Sequence, residues 1–332
     1  MKVLFYDLRD SEKNFLNSHK YMDFSIKYCD ESLNEKTQIS DIDREETSIL
    51  CVYRSSILNS KVLEKFKNLR IIATRSFGFN HIDLEYCTNH NIIVIHTDQY
   101  GEEAVAEYAL GLILALTRNI KPALFDIHNK VVDPKKYEGQ LLMQKTIGII
   151  GCGKVGIKLG KIADFFGMKV LVSSYKEEPK FDKFCNIVPF DKLLSNSDII
   201  ALHMPFTTST YQILGKDEFE KMKKGVYIIN TSCVDLIDTE ALYNGLKSGK
   251  VRGAGLDILD SDFGDKDAKK LKNETMSSKE NHKITSKLID LPNVIITPHI
   301  AYNTEEYIEY VLETTMNSIR DNIKGICTNR VV

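Results

Sequence analysis

Three glycines, Gly151, Gly153 and Gly156, stand at the spacing that lets a polypeptide hold a dinucleotide. The apolar run 146–150 precedes them and the amphipathic run 155–166 follows, so a strand should turn into a helix here. The first glycine permits a tight turn, the second lets backbone N–H groups approach phosphate oxygens, and the third lets the helix pack closely on the strand. The pattern predicts a pyrophosphate site, although a strand–turn–helix without a ligand has the same spacing.

Predicted strands and helices, which must position this turn, alternate along the chain. Strand-like runs occur at residues 2–6, 49–52, 71–74 and 92–95, and amphipathic stretches such as 60–67 separate them. Such alternation is typical of parallel sheets with crossover helices, so it predicts an α/β protein.

A second set of elements surrounds the glycine turn. A long apolar helix, 103–116, precedes it, and strand-like runs follow at 170–172, 187–188, 199–202, 226–230, 253–256 and 294–296. About six strands is the number that a dinucleotide-binding sheet uses. The polar segment 263–287 predicts a long surface loop. We expect the final helix, 305–323, to return to the N-terminal unit and make that domain discontinuous.

The composition argues against several classes of protein. Of the 332 residues, 43% are hydrophobic and 27% are charged, and the net charge is −2. These values fit a globular protein of about two domains and give no electrostatic reason to expect nucleic acid or an anionic membrane as partner. The seven cysteines form no CxxC pair, so we expect reduced thiols in a cytoplasmic protein and no metal site. No apolar run reaches the roughly 18 residues of a membrane span, and no signal pattern appears.

Several motifs along the chain form a recognisable set. Besides the glycine turn, they are 74–83, Tyr100 with 104–107, 197–205, 230–232, 255–257 and 297–299. Together they resemble the D-isomer-specific 2-hydroxyacid dehydrogenase family over nearly the whole chain. Within the family, segments 188–198 and 294–305 look most similar to the VanH-type D-lactate dehydrogenases of glycopeptide-resistant bacteria.

The resemblance implies an architecture. It implies two Rossmann-like domains with doubly wound parallel sheets and an active site in the cleft between them. Residues 1–99 and 303–332 would form a discontinuous substrate domain, and residues 100–302 the dinucleotide-binding domain. The family is usually homodimeric, so a homodimer is expected.

The resemblance also implies a reaction, the reduction of a small 2-oxo acid to the (R)-2-hydroxy acid. His299 would protonate the carbonyl oxygen as hydride arrives, and an acidic partner would hold the imidazole in position. Asp262 stands where the family usually has glutamate, and the alternatives are Asp260 or no acidic partner. Taken alone, an aspartate just before a polar loop is most often a solvated surface residue.

The chain departs from the family at Cys233, where the resemblance implies an arginine that binds the substrate carboxylate. A thiol without fixed positive charge cannot replace a bidentate guanidinium, and the loss would cost about 3–5 kcal/mol, or roughly two to four decades in rate. Four interpretations remain open: slow or altered turnover, rescue by another cation such as Arg75 or Arg252, a protein that binds cofactor without chemistry, or Cys233 as a nucleophile with His299 as base. A single cysteine taken alone is most often an inert buried thiol.

Other substrate-binding residues follow from the resemblance. A carboxylate cradle would use backbone N–H groups, and two tyrosines would contact the substrate. The predicted set is Ser76, Phe77 and Gly78 for the cradle, with Tyr100 and Tyr302. Phe77 or Phe79 would narrow the side-chain pocket, unless it serves in the core.

The choice of cofactor depends on the end of the strand after the glycine helix. In NAD-specific members an acidic residue there accepts hydrogen bonds from the adenosine ribose and repels a 2′-phosphate. Here Ser174 stands at that position, with Ser173 before it and Lys176 nearby, so NADP(H) is favoured over NAD(H). If Lys176 only solvates a loop, the neighbouring Glu177 and Glu178 would weaken this preference.

The predicted cofactor-binding set comprises Gly151, Gly153, Lys154, Val155, Gly156, Ser173, Ser174, Tyr175, Lys176, His203, Pro205, Thr231, Ser232 and Asp257. By resemblance, Asp257 would lie near the nicotinamide. The prediction is thus an NADP(H)-preferring 2-oxo acid reductase. The alternative is a catalytically silent NAD(P)-binding regulatory or scaffolding paralogue.

Overall fold

The computed structural model describes residues 1–19, 21, 23–76, 78–97, 101–174, 184–257 and 287–332. These residues divide into two compact units. The first contains the described residues up to 97 and those from 303 to 332, and the second contains those from 101 to 302. Each unit has a parallel sheet, and described helices lie between most of its consecutive strands, so the predicted α/β class is confirmed.

The strands of the two sheets are short. They are β1 Lys2–Tyr6, β2 Ser25–Cys29, β3 Thr47–Val52, β4 Ile71–Thr74, β5 Ile93–Ile95, β6 Thr146–Ile150, β7 Lys169–Ser173, β8 Asn186–Ile187, β9 Ile199–Leu202, β10 Val226–Asn230, β11 Val251–Leu256 and β12 Val294–Ile296.

The helices are α1 Asp10–Ser18, α2 Asp41–Glu46, α3 Ser60–Leu63, α4 Leu84–Asn89, α5 Glu102–Thr117, α6 Ile120–His128, α7 Lys154–Phe165, α8 Phe190–Asn196, α9 Lys216–Lys221, α10 Thr239–Ser248 and α11 Glu305–Ile323. Short 3-10 turns occupy Pro134–Tyr137, Thr208–Thr210 and Val234–Leu236. Among the described residues, no helix combines the length and the apolar character needed to cross a bilayer.

The sheet of the first unit has the order β2-β1-β3-β4-β5, which is the order of flavodoxin-like doubly wound folds. The central strands β1, β3 and β4 are almost wholly buried, as parallel strands covered on both faces should be. Helix α11 packs against β4, β5 and α1, so the end of the chain does return to this unit.

In the first unit one strand was missed and one helix is shorter than predicted. The edge strand β2 was missed because its sequence alternates polar and apolar residues and has no apolar run. The helix predicted at 60–67 ends at Leu63, because the bonds that follow, such as Phe66 N–H to the Leu63 carbonyl, run from i to i+3 and tighten the chain into turns.

The sheet of the second unit has seven strands rather than about six, in the order β12-β11-β10-β9-β6-β7-β8. The additional strand is β6 itself, which lies in the same sheet as the runs that follow the glycine turn. This is the order of a dinucleotide-binding fold with one further strand at the edge. Helices α5 and α7 begin and end within one residue of their predicted bounds. The predicted loop 263–287 lies outside the described residues, apart from Lys287.

Candidate active site

Six residues directly follow the ends of six strands in the second sheet. They are Gly151 after β6, Ser174 after β7, His203 after β9, Thr231 after β10, Asp257 after β11 and Thr297 after β12. Because the strands are parallel, these residues lie along one edge of the sheet. The direction of strand succession reverses between β6 and β9, and ligands of open α/β sheets bind at such a reversal. Predicted cofactor residues from distant parts of the sequence are therefore neighbours along this edge.

Two of the three motif glycines are required by the packing of the protein itself. Gly151 has a φ of 101°, and a Cβ there would lie 2.4 Å from the carbonyl oxygen of His203. A Cβ at Gly156 would lie 2.4 Å from the carbonyl oxygen of Gly151. Neither clash involves a flexible side chain, so no larger residue fits without moving the backbone.

Gly153 differs from these two glycines. A Cβ there would come no closer than 4.0 Å to another part of the protein, the carbonyl oxygen of His203. No described protein atom therefore requires glycine at this position, whereas a ligand lying against the backbone would. Gly153 is also the N-cap of α7, and the first N–H groups of that helix, including those of Lys154 and Val155, have no intrahelical partner. The turn thus fits the pyrophosphate of a dinucleotide.

Two polar atoms on neighbouring strand ends are buried without a partner. They are Nε2 of His203 and Oγ1 of Thr231, and neither makes a hydrogen bond to the described residues. Burial lowers the pKa of His203 to about 4, so the ring is neutral near pH 7. Because an unpaired buried polar atom is costly, a ligand that hydrogen-bonds them would recover that cost. Both residues belong to the predicted cofactor set.

The remaining described members of the cofactor set shape the same edge. The carbonyl oxygen of Ser173 accepts the N–H of Gly151 at 2.9 Å, which ties the turn to β7. Ser232 donates its hydroxyl to the Leu202 carbonyl at 2.8 Å, and the carbonyl of Pro205 accepts the Thr210 hydroxyl at 3.0 Å. Ser174 is half-buried at the end of β7. Tyr175 and Lys176 lie outside the described residues.

His299 lies on a tight turn after β12. Its φ is 55°, a left-handed conformation that is rare for a residue with a bulky side chain, and its N–H donates to the Thr297 carbonyl at 3.0 Å. The imidazole is half-buried and meets the ring of Tyr302 edge to face at a centroid distance of 6.0 Å. The proposed acidic partners, Asp262 and Asp260, lie outside the described residues.

Asp257 does not present its carboxylate to solvent, because the residue is fully buried. Its Oδ1 accepts the Thr297 hydroxyl at 2.6 Å and the Ile300 N–H at 2.9 Å, and its Oδ2 accepts the Ala301 N–H at 2.6 Å. The sequence placed this residue in the cofactor set but gave no sign of these contacts to the histidine turn.

Cys233 lies three residues after β10, in a backbone turn that Asn230 fixes. The Asn230 amide donates to the Cys233 carbonyl at 2.7 Å, and its Oδ1 accepts the Ser232 N–H at 3.0 Å. The half-buried Cys233 side chain packs against the hydrophobic cluster that contains Leu236. This position fits a packing role for the thiol.

Rescue of Cys233 by another cation, Arg75 or Arg252, stays a prediction, and the two side chains have different surroundings. Arg75 is 2% exposed, and its guanidinium donates to the carbonyls of Tyr6 at 2.7 Å and Asp7 at 2.8 Å and pairs with Glu12. It therefore serves the packing of the first unit. Arg252 is exposed near the start of β11, five residues or about 16 Å from the strand end where Asp257 lies.

The predicted substrate residues of the first unit follow β4. Ser76 is buried and donates its hydroxyl to the Gly78 carbonyl at 2.7 Å, which fixes the backbone of that loop. A hydrogen-bond chain that sequence reasoning missed continues from Ser76 to the Thr74 hydroxyl at 2.7 Å and on to His81 Nε2 at 3.1 Å. Phe79 packs in the core and meets the His96 ring edge to face, which supports the core interpretation for Phe79. Phe77 and Tyr100 lie outside the described residues.

Known proteins identify the family. Residues 110–301 match the family model described as D-isomer specific 2-hydroxyacid dehydrogenase, NAD binding domain. The chain belongs to the D-isomer-specific 2-hydroxyacid dehydrogenase family. Members of this family are oxidoreductases, and this chain is one of them.

Three similar family members illustrate the match. An aromatic 2-oxoacid reductase of Clostridium sporogenes is 34% identical over 100% of this chain and 99% of its own length. A D-specific alpha-keto acid dehydrogenase of Enterococcus faecium is 34% identical over 82% of each chain. The crystal structure of Aquifex aeolicus D-lactate dehydrogenase, complexed with NAD and lactic acid, is 32% identical over 99% of each chain with a TM-score of 0.75. Because the first two identities are equal, they do not single out a subfamily.

Proposed function

We propose that this protein reduces a small 2-oxo acid to the (R)-2-hydroxy acid with a reduced nicotinamide cofactor. The observation that carries the proposal is made at one edge of the second sheet, where Gly153 and His299 follow different strands. No described protein atom requires glycine at position 153, whereas a bound dinucleotide would. Relatives named for 2-oxo acid reduction and a D-lactate dehydrogenase structure with NAD and lactic acid support it.

The roles of the residues follow from this proposal. The bound cofactor supplies the hydride. The N-terminus of α7 holds the pyrophosphate, and His203 and Thr231 offer polar atoms to the rest of the dinucleotide. His299 donates a proton to the carbonyl oxygen, and Asp262 is the proposed partner of its imidazole. The backbone around Ser76 and Gly78 binds the substrate carboxylate, as the resemblance implies.

The direct test of the proton donor is His299→Gln. Glutamine keeps a polar side chain of similar reach but cannot donate a proton as an acid. The turnover number should fall at least about 1,000-fold, within the range that general acid catalysis contributes, while the NADPH dissociation constant stays within about threefold. Ser195→Ala changes an exposed hydroxyl on α8 and serves as the matched control. Unchanged turnover in His299→Gln would refute the assignment.

The position of Cys233 favours a second candidate, a silent cofactor-binding paralogue. Arg75, one of the two cations considered for the role of the missing arginine, is paired with Glu12, and the Cys233 thiol packs against a core cluster. Tight NADPH binding without turnover on any 2-oxo acid would establish this alternative. Alkylation of Cys233 tests the nucleophile interpretation. If Cys233 is the nucleophile, its alkylation must abolish an aldehyde-dependent activity.

We infer a preference for NADPH over NADH. The position after β7 carries Ser174, whose hydroxyl can bond a phosphate, in place of a carboxylate that would repel it. Lys176 is proposed to add positive charge. Ser174→Asp should therefore weaken NADPH binding at least about tenfold and strengthen NADH binding, in parallel titrations of cofactor fluorescence. Equal responses of both cofactors would contradict the inference.

We propose that residues 1–99 and 303–332 form the substrate domain and residues 100–302 the dinucleotide-binding domain. The division of the described residues into two units near these positions supports the boundaries. Limited proteolysis should release a fragment of residues 100–302 that still binds cofactor.

We further infer a reducing, cytoplasmic setting, which is supported by seven cysteines that form no disulfide.

We propose that the protein forms a homodimer through the surface that includes α6. This helix has no buried residue, and its Phe125 is 68% exposed, while Phe165 at the end of α7 is 89% exposed. Apolar exposure of this kind marks an association surface. Phe125→Asp should convert a dimer to a monomer in sedimentation velocity. Ile42→Asp, at an exposed apolar position of the first unit, is the matched control and should leave the dimer intact. A monomeric wild type would refute the proposal.

A further inference from the structure

The turn that carries His299 has an unfavourable backbone conformation that something must hold. His299 has a φ of 55°, where the Cβ of an L-residue is crowded by its own backbone. The two residues that follow, Ile300 and Ala301, point their N–H groups at one side chain, that of Asp257. The turn is thus fixed on its C-terminal side by a residue that precedes it by about forty positions.

The contacts surround the carboxylate of Asp257 on both oxygens. Oδ1 accepts the Thr297 hydroxyl at 2.6 Å and the Ile300 N–H at 2.9 Å, while Oδ2 accepts the Ala301 N–H at 2.6 Å. The donors lie on both sides of His299 in the sequence. Asp257 itself is anchored through its N–H to the Asn230 carbonyl at 2.9 Å. The Asp257 side chain therefore ties the turn that holds His299 to the end of β11, beside the direct bond from the Thr297 N–H to the Leu256 carbonyl at 2.9 Å.

We propose that Asp257 is a positioning residue whose buried carboxylate fixes the turn that holds His299. The residue is 0% exposed, and its carboxylate accepts hydrogen bonds from three donors on both sides of His299. This role is additional to the position near the nicotinamide that the resemblance implies. The inference rests on the proposed role of His299 as the proton donor.

Chemistry explains why aspartate is needed. An asparagine of the same shape has one acceptor oxygen and one NH2 group. If its NH2 replaced Oδ2 it would face the Ala301 N–H, and if it replaced Oδ1 it would face the Ile300 N–H. Either orientation places two donors against each other inside the protein. Asp257→Asn should therefore release the turn although it preserves side-chain volume.

The experiment compares wild type with Asp257→Asn in turnover of a 2-oxo acid and in NADPH binding. We expect the turnover number to fall at least about 100-fold, the penalty typical of a reacting group displaced by about 1 Å, while the NADPH dissociation constant changes by less than about threefold. Thr297→Val removes only one of the three donors and should have a smaller effect on turnover. A tenfold or greater loss of NADPH affinity with turnover retained would overturn the proposal.

Asp198→Asn is the matched control, because Asp198 is also a carboxylate that accepts a backbone N–H, that of Thr146 at 2.8 Å, but at the amino edge of the same sheet. This variant should lose stability while its turnover per folded molecule stays within about threefold of wild type. An equal loss of turnover in both variants would overturn a specific role for Asp257.

An NMR measurement that does not depend on turnover distinguishes a failure of this inference from a failure of the proposed function. The imidazole Cε1–H resonance of His299, assigned by its disappearance in His299→Gln, should shift in folded Asp257→Asn and remain in place in Asp198→Asn. If wild type binds NADPH but reduces no 2-oxo acid, the proposed function fails, and this resonance still decides the inference. An unchanged resonance in Asp257→Asn would overturn it.

Discussion

Replacing Arg75 with methionine should destabilise the first unit rather than remove a substrate contact. The guanidinium donates to the carbonyls of Tyr6 and Asp7 and pairs with Glu12, whose side chain is only 9% exposed. Arg75→Met leaves that carboxylate buried without its cation. Breaking a buried pair in this way costs about 3–5 kcal/mol, and the two deprived carbonyls belong to the same network, so we expect a total of about 4 kcal/mol.

Urea unfolding followed by circular dichroism is the assay, because the chain contains no tryptophan. Arg75→Met should lower the free energy of unfolding of the first unit by about 4 kcal/mol, a large share of the 5–15 kcal/mol typical of a domain. The double variant Arg75→Met with Glu12→Met should recover at least about half of that loss, because no unpaired charge remains.

Two observations would refute this reasoning. The first is a loss of stability below about 1 kcal/mol in Arg75→Met, which would mean that the buried network contributes little. The second is a fully folded Arg75→Met protein whose KM for a 2-oxo acid rises more than about 100-fold, which would restore Arg75 as the carboxylate ligand. Arg252→Met, at an exposed position, is the control and should change stability by less than about 0.5 kcal/mol.

Three further predictions concern the glycine turn and two titrating groups. Gly151→Ala should cost about 2–3 kcal/mol because its Cβ would overlap the His203 carbonyl, whereas Gly153→Ala should leave thermal unfolding unchanged and weaken NADPH binding in a titration. Burial lowers the pKa of His203 from 6.5 to about 4. As the pH falls, this imidazole is therefore protonated in the unfolded chain before it is protonated in the folded protein. Stability should fall by on the order of 3 kcal/mol from pH 6.5 to 4, and urea titrations of His203→Gln should lack that slope. Burial opposes ionisation of Asp43, but hydrogen bonds from Lys27, Ser40 and Lys2 outweigh it and lower the pKa from 3.8 to about 2. The ionised Asp43 carboxylate should therefore contribute at most about 2 kcal/mol to the free energy of unfolding, in full above pH 3.8 and not at all once the pH has fallen to 2. The acid unfolding curve of Asp43→Asn should lack this loss of stability.

Sequence patterns were sufficient to predict most strands of the two sheets and the strand–glycine–helix junction, because both depend on local signals. Buried parallel strands are apolar runs, and the strand–glycine–helix junction has a fixed spacing, so α5 and α7 were placed within one residue. Strand β2 was missed because an edge strand needs no apolar run.

The contacts between distant residues could not be predicted in this way. Arg75 is 63 positions from Glu12, and its type alone does not distinguish a buried structural arginine from one that binds a ligand. The motif singled out Asp257 as a cofactor residue, but its contact with the Ala301 N–H depends on how two strand ends meet. Such pairings follow from the three-dimensional register of the sheet and have no signature at either position.

We propose that this chain reduces 2-oxo acids with a nicotinamide cofactor although Cys233 replaces the family's arginine. The most direct measurement is NADPH and NADH oxidation by the purified protein over a panel of 2-oxo acids, with Cys233→Arg alongside. We expect measurable reduction by wild type, faster with NADPH, and a gain of about 100-fold or more in Cys233→Arg from the restored charged contact. Cofactor binding without oxidation by either protein on any 2-oxo acid would contradict it and leave a silent paralogue.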